Sequence, residues 1–469
     1  MQAASHTCVR SSRPAPAKIS SDPRAVGDPA PHPKEPMSHE NSQHIVVVGT
    51  KPDIIKQAPI YHELRNRGHD VVLCHTGQHY DHNLSQSMLD EFGVREDVNL
   101  EVRGGVNDLV SGITAKLALY LRGFAERGGF PITYVHGDTT TAMAGALATF
   151  GERQALVHVE AGLRTLSPKP EVLQCWLDQG ADLDWASFRA QSIDRNSWSK
   201  GSREPSPEQF NTRVADAGTD LHAAPVELNR EFLVDEGFAP AAIDVVGNSV
   251  VDALAQAVAG SDKNQVLQKF PQMGDGSFLR FCVHRRENTT NHFRFNLLMD
   301  AMESLLEQGH HVLFIRLLGT EAAIDNFGRR QWLEDLEARY GDALISTPVW
   351  DSYLDVVAAM SMCAVIVTDS GSIVEEANVL EVPCVTLRFG SDRSETFLAG
   401  SNFLAPPIDK ALMTSVIHNV FEHRAELSWD RVYPEGASRM LVDAVERRLD
   451  EGSLLISEEW RYGLKAQLR

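Results

Sequence analysis

The sequence lacks an excess of positive charge: 44 Lys and Arg stand against 64 Asp and Glu, a formal net charge of −20 with a pI near 5.3. Such a surface repels polyanions, which excludes nucleic acid or an anionic membrane as a principal partner. Cysteine is scarce, six in 469 residues at 8, 74, 175, 282, 363 and 384, with no CxxC pair and no histidine at metal-ligand spacing. Structural zinc is thereby excluded, and no metal site is expected. Cys74, Cys282, Cys363 and Cys384 lie in apolar, strand-like runs. They read as small buried thiols of a reducing, cytoplasmic compartment. No run of about 18 apolar residues exists, so no membrane span is expected. What remains is ordinary for a folded chain: 43% hydrophobic and 23% charged residues, in a length suited to two domains and a tail. An anionic phosphate ester as substrate would require positive charge and backbone N–H groups gathered locally against this acidic field.

Residues 1–42 are rich in Pro, Ala and Ser, with no hydrophobic period and no apolar core of a secretory signal; the expectation is a disordered tail. Met37, just ahead of the first ordered residues, is a second candidate start. From His44 the chain alternates short apolar runs (IVVVG, HDVVLCHTG, ITYVHGD, LVHVEAG) with amphipathic segments of helical spacing. That alternation predicts βαβ units around a buried parallel sheet. A second series begins near Ile243 with DVVG, FLRFCVH, HVLFIRLL, AVIVTDSG and PCVTLRFG as its strands. The fold class expected is α/β, two doubly wound, Rossmann-like halves facing a cleft. Their expected spans are residues 43–235 and 236–430, followed at 431–469 by helices able to cross back to the first half. One stretch, 166–205, breaks the rhythm and carries Trp176, Trp185 and Trp198 with no clear period. The simplest reading is a peripheral insert that packs its own aromatics on the surface.

Ligands of open α/β sheets sit at the carboxyl ends of the strands, so strand-end residues carry the functional reading. The first strand ends in Gly49-Thr50-Lys51-Pro52-Asp53 ahead of a helix. This is not the dinucleotide fingerprint, but a helix start with Lys51 and Lys56 makes an anion site. VHGD puts Asp138, and HVEAG puts Glu160, at the same rim of a parallel sheet. Paired carboxylates there suit acid/base work, with burial expected to raise their pKa values. In the second half, His284-Arg285-Arg286-Glu287 follows a strand, a basic cluster suited to phosphate. Ser370-Gly371-Ser372 forms a strand-to-helix turn that can hold a diphosphate at the helix start. Glu375 and Glu376, one turn on, can accept from ribose hydroxyls.

Read together and in order, these motifs carry a resemblance. GTKPDIIKQAP, TGQHYD, HGDTTT, HVEAGLRT, PEQFN, GNSVVDAL, HRREN, TDSGSIVEEA and the segment around Asp392-Arg393-Ser394-Glu395 are similar to the non-hydrolysing UDP-GlcNAc 2-epimerases over roughly residues 44–440. The resemblance implies a GT-B-type pair of domains closing on UDP-GlcNAc, a homodimer, and no metal or redox cofactor. The implied reaction removes the C2 proton with anti elimination of UDP, then returns UDP and a proton to the other face. Position by position, Asp138, Glu160, Glu208 and His284 match catalytic residues. Lys51, Lys56, Arg285, Ser370, Gly371, Ser372, Glu376 and Arg393 match UDP-binding positions. Glu171, in SPKPE, competes with Glu208 for the family's PEE motif; the continuation through Asn211 and Leu221-His222 without a gap favours Glu208.

The chain departs from the pattern at several points. Lys51 replaces arginine, Thr212 stands where arginine is expected, and Ser372 replaces a glycine, at a strain if that residue needs positive φ. Arg316-Leu317-Leu318-Gly319 replaces an HxNP segment whose histidine is associated in bacterial members with a second, activating UDP-GlcNAc, and Asp392-Arg393-Ser394-Glu395 replaces ERPE. Three rival readings follow: an epimerase of another UDP-sugar such as a diacetamido uronic acid, a GT-B glycosyltransferase, and a non-catalytic UDP-sugar sensor.

Overall fold

The computed structural model describes residues 41–78 and 82–455, with 82–85 traced by backbone only. All but the last two residues of the expected tail, including Met37, and the end of the expected C-terminal segment lie outside the described residues, as do His79, Tyr80 and Asp81 of TGQHYD.

Two parallel sheets organise the chain. The first contains β1 (Ser42–Val48), β2 (Val71–His75), β3 (Val98–Asn99), β4 (Phe130–His136) and β5 (Ala155–Val159). A small hairpin, β6 (Leu166–Pro168) with β7 (Trp198–Lys200), interrupts the series before β8 (Leu221–Ala224) and β9 (Ile243–Val245) complete it. The strand order is β3-β2-β1-β4-β5-β8-β9. β1 is central, with Val46 opposite Leu73 of β2 on one side and Tyr134 of β4 on the other. Ile45 to Val48 are wholly buried, as an unbroken apolar run in a doubly covered parallel strand must be.

The second sheet has the order β12-β11-β10-β13-β14-β15. Its strands are β10 (Phe278–Cys282), β11 (His311–Arg316), β12 (Leu344–Pro348), β13 (Val365–Thr368), β14 (Cys384–Thr386) and β15 (Asn402–Leu404). In each sheet the order reverses direction beside the first strand of its series, β1 and β10. That leaves a crevice at their carboxyl edges, the place where such folds take ligands.

The strand at Ile243, expected to open the second series, instead pairs in parallel with β8 as the edge of the first sheet. The first half thus runs on past residue 235 to at least Val245. The helix Ala437–Glu451 returns to the first half. Its Leu441, Val442, Val445 and Leu449 share a core with Val46, Ile54, Ala58 and Leu64. Arg67 pairs with Asp443 and Glu446 at 2.7 and 2.6 Å at the rim of that contact. Among the described residues no helix is long and apolar enough to cross a membrane.

Residues 166–205 are not a peripheral insert. Between β6 and β7 stand two helices, Pro170–Gln179 and Trp185–Ile193. Leu166, Trp176, Leu183, Phe188 and Trp198 share one core with Phe397, Phe403, Leu412 and Val416 of the second half. The aromatics lack period because the surface they fill belongs to another part of the chain.

Candidate active site

The helix Lys51–Asn66 begins by a reciprocal cap: Thr50 accepts from the Asp53 amide, and the Asp53 carboxylate accepts from Gly49 and Thr50 at 3.1 and 3.0 Å. The cap requires Gly49, since a Cβ there would stand 2.1 Å from Thr141 Oγ1. Lys51 opens this helix, and one turn on it sends Lys56 into the crevice. Lys56 donates to Glu160 at 2.5 Å and to Glu375 of the second half, all three buried. Glu160 directly follows β5, with φ at +59°. That region costs a side-chain-bearing residue ~1–3 kcal/mol and is kept where function fixes it.

Arg393 is the centre of the cluster. Its guanidinium, 3% exposed, donates to Glu375 and Asp392 at 2.7 Å each, to Asp138 at 3.3 Å and to Glu160 at 3.4 Å. One arginine of the second half thus joins the two strand-end carboxylates of the first. Burial was expected to raise the pKa of Glu160. Burial is indeed the largest influence, but Lys56, His136 and Arg393 outweigh it and hold Glu160 well below the carboxylate range. For Glu375 burial and the neighbouring Glu160 win, and its pKa is raised.

Glu208 opens the helix Glu208–Ala217, and Arg285 donates to its Oε1 across the crevice. Its Oε2 is buried with no hydrogen-bond partner among the described residues. Burial, reinforced by Asp138, raises the Glu208 pKa against the pull of Arg285. Glu171, the competing match, is exposed at the start of the insert's first helix. Asn211, on the turn after Glu208, donates to the Asp138 carbonyl at 3.0 Å and so ties this helix to the β4 rim. Thr212 is fully buried.

His284 follows β10 and lies 3.2 Å from Asp369, which follows β13. Burial opposes its charge, but Asp369 outweighs burial and brings the pKa to about 9. Asp369 also accepts from the backbone amides of His284 and Arg285 at 2.9 and 3.0 Å and from Asn288 at 3.0 Å. It thereby fixes the turn that presents both basic residues. Ser370 holds the N-cap position of the helix Gly371–Val379 and makes no side-chain cap bond among the described residues, and a helix start of this kind is a ready anion site. Ser372 is not among the residues with positive φ, so its replacement of glycine carries no backbone strain. Gly371 has the Arg285 and Arg393 guanidinium groups beside it: a Cβ there would lie 3.6 Å from each. Glu376 is buried and accepts from Tyr353 at 3.0 Å; burial outweighs that bond and lifts its pKa to about 7.

Two further residues belong to the cluster and escaped the sequence reading. His136, the last residue of β4, sits with Nδ1 3.2 Å from Asp53 and Nε2 3.3 Å from Glu160. Burial disfavours its charge, yet Glu160 and Asp53 bring its pKa to about 9. Asp53 was read only as part of a motif. The strand-end rule that selected Asp138 and Glu160 applies equally to His136.

Two doubly wound halves, with carboxyl groups, lysine, arginine and histidine converging at their facing strand ends, define a two-domain cleft enzyme of acid/base type. Comparisons with known proteins narrow the class. A family model described as UDP-N-acetylglucosamine 2-epimerase matches residues 62–186 and 199–444. The chain belongs to that family. It is 28% identical over 375 residues to the UDP-N-acetylglucosamine 2-epimerase of Methanocaldococcus jannaschii, covering 79% of this chain and 90% of that one. The crystal structure of the Neisseria meningitidis UDP-GlcNAc 2-epimerase bound to UDP-GlcNAc is similar with a TM-score of 0.70 at 25% identity, covering 86% of this chain and all of that one. The Methanocaldococcus enzyme in complex with UDP-GlcNAc and UDP gives 0.69 at 25% identity, covering 86% and 99%.

Proposed function

We propose that this chain interconverts UDP-GlcNAc and UDP-ManNAc by moving the proton on C2 of the sugar. The observation that carries the reading is the convergence of Asp138, Glu160, Glu375 and Arg393 from both halves on one buried point. Relatives of the same family, one seen with UDP-GlcNAc and one with UDP-GlcNAc and UDP, support the substrate. On this reading Glu160, ionised, and Asp138 serve the proton at C2, and Glu208, whose pKa burial raises, takes part in the proton's return. Removal of that proton and departure of UDP leave an unsaturated sugar. UDP then returns as a proton reaches the opposite face.

His284, still charged at neutral pH, and Arg285 stabilise the departing diphosphate. Lys51, Lys56, Arg393 and the Ser370-Gly371-Ser372 turn hold the nucleotide. An incoming diphosphate competes for Lys56 and Arg393, which loosens their hold on Glu160 and strengthens it as a base. Glu376 reaches the ribose only if it leaves Tyr353. Buried unpaired thiols at Cys74, Cys282, Cys363 and Cys384 fit a cytoplasmic setting, and the resemblance supports a homodimer.

The test is proton NMR of the purified protein with UDP-GlcNAc in deuterated water. UDP-ManNAc carrying deuterium at C2 is the expected product. Free UDP with ManNAc would overturn the proposal in favour of hydrolysis, and binding without any sugar change would leave a sensor.

A further inference from the structure

The insert of the first half is bound into the second. Its root is fixed at home: Lys200 pairs with Asp235 at 2.6 Å and lies over the Phe232 ring, and Thr165 donates to the Glu204 carbonyl at 2.7 Å. Its body lies on the other side of the crevice. Trp198 stacks on Phe397 with ring centres 4.9 Å apart and planes at 7°. Trp185 stacks on His423 at 5.5 Å and meets Phe403 at 5.2 Å. Trp176, wholly buried, fills the space behind them against Phe188. Further along, Glu204 pairs with Arg294 at 2.9 Å, and the Ser206 amide donates to Glu287 at 3.0 Å.

One of these attachments reaches the site. Leu166 and Ser391 exchange both backbone hydrogen bonds at 3.0 Å. Ser391 stands two residues before Arg393, and its hydroxyl accepts from the Arg393 amide at 3.0 Å. The approach is close enough to demand glycine next door, since a Cβ on Gly390 would stand 2.4 Å from Ser167 Oγ. Phe397, under Trp198, lies one turn beyond Arg393. The insert therefore grips the Arg393 loop at both ends. The family model leaves residues 187–198 unmatched, a gap that takes in most of the insert's second helix and Trp198.

We propose that residues 166–200 are an interdomain strap that keeps the cleft closed and Arg393 seated among Asp138, Glu160 and Glu375 without bound nucleotide. A two-domain cleft that its ligand must close binds with an affinity lowered by the fraction of closed molecules. Aromatic packing within one chain removes that requirement beforehand. Trp198 is on this account a positioning residue, acting on Arg393 through Phe397 and the Ser391 bridge.

Small-angle X-ray scattering of the whole protein, with and without UDP, tests the strap. The wild type is expected to give the same radius of gyration in both states. Trp185→Ala/Trp198→Ala is expected to expand without UDP and contract with it. Its UDP affinity should fall about tenfold, while Trp198→Phe retains both properties. The affinity arm rests on the UDP-binding reading above; the nucleotide-free scattering of wild type against variant does not, so the two can fail separately. Contraction of the wild type on adding UDP would overturn the proposal. Should the double variant not fold, hydrogen exchange on the wild type decides. Equal protection of Leu166 and Ser391–Glu395 with and without UDP supports the strap, and protection appearing only with UDP overturns it.

Discussion

His136 draws its charge from two carboxylates and lends it to one of them. With a pKa of about 9 it is protonated at neutral pH, and with Lys56 and Arg393 it keeps Glu160 ionised. In His136→Gln the pKa of Glu160 should rise, so the acid limb of the pH–rate profile moves to higher pH; an unmoved limb would remove His136 from the site. The same change has a signature in stability. A histidine whose folded pKa lies above the unfolded 6.5 stabilises fully below that value and ceases to do so as pH rises through about 9. Melting temperatures of wild type and His136→Gln should therefore differ most near pH 6 and converge above pH 9. Glu208 and Glu171 form a second comparison. Glu208→Gln should lower turnover at least about 100-fold, whereas Glu171→Gln, altering an exposed side chain, should leave it near wild type. Strand-end position made Asp138, Glu160 and His284 legible in the sequence. His136 shares that strand-end position, but its pairing with Asp53 is a contact across 83 residues, which no local pattern encodes.

At the scale of elements, period made the regular helices and strands legible: the apolar run of β1 is a local signal. The insert takes its order from elsewhere in the chain. Its two helices are short, and the apolar face that orders them lies on Phe397, Phe403, Leu412 and Val416, more than 190 residues further along the chain. Trp176 measures how much that packing is worth. Truncation of a wholly buried aromatic costs about 3–5 kcal/mol, so Trp176→Ala should lower the unfolding free energy obtained from urea titrations by that amount. A loss below about 1 kcal/mol would mean that the insert adds little to the core. The edge strand β9 shows a smaller version of the same limit. DVVG reads equally well as the end of one series or the start of the next, and only pairing with β8 decides.

For the whole molecule, two halves facing across a cleft were legible from the alternation of strands and helices, whereas the interweaving of the halves was not. The strap carries first-half residues into the second core, and the helix Ala437–Glu451 fills out the first core from beyond the second. Ending the chain after Gly436 should therefore damage the distant half. Loss of hydrogen-exchange protection is expected around Val46, Ile54 and Leu64, with the strands of the second sheet less affected; the reverse pattern would contradict the shared core. The same helix also sets an order of events during synthesis. Arg67 and its partner Glu446 are separated by 379 residues, so on the ribosome the half made first waits, with part of its apolar surface uncovered, until almost all of the described chain has emerged. The half translated later can be finished earlier, and a growing chain of this kind has reason to need a chaperone's protection for its oldest part rather than its newest.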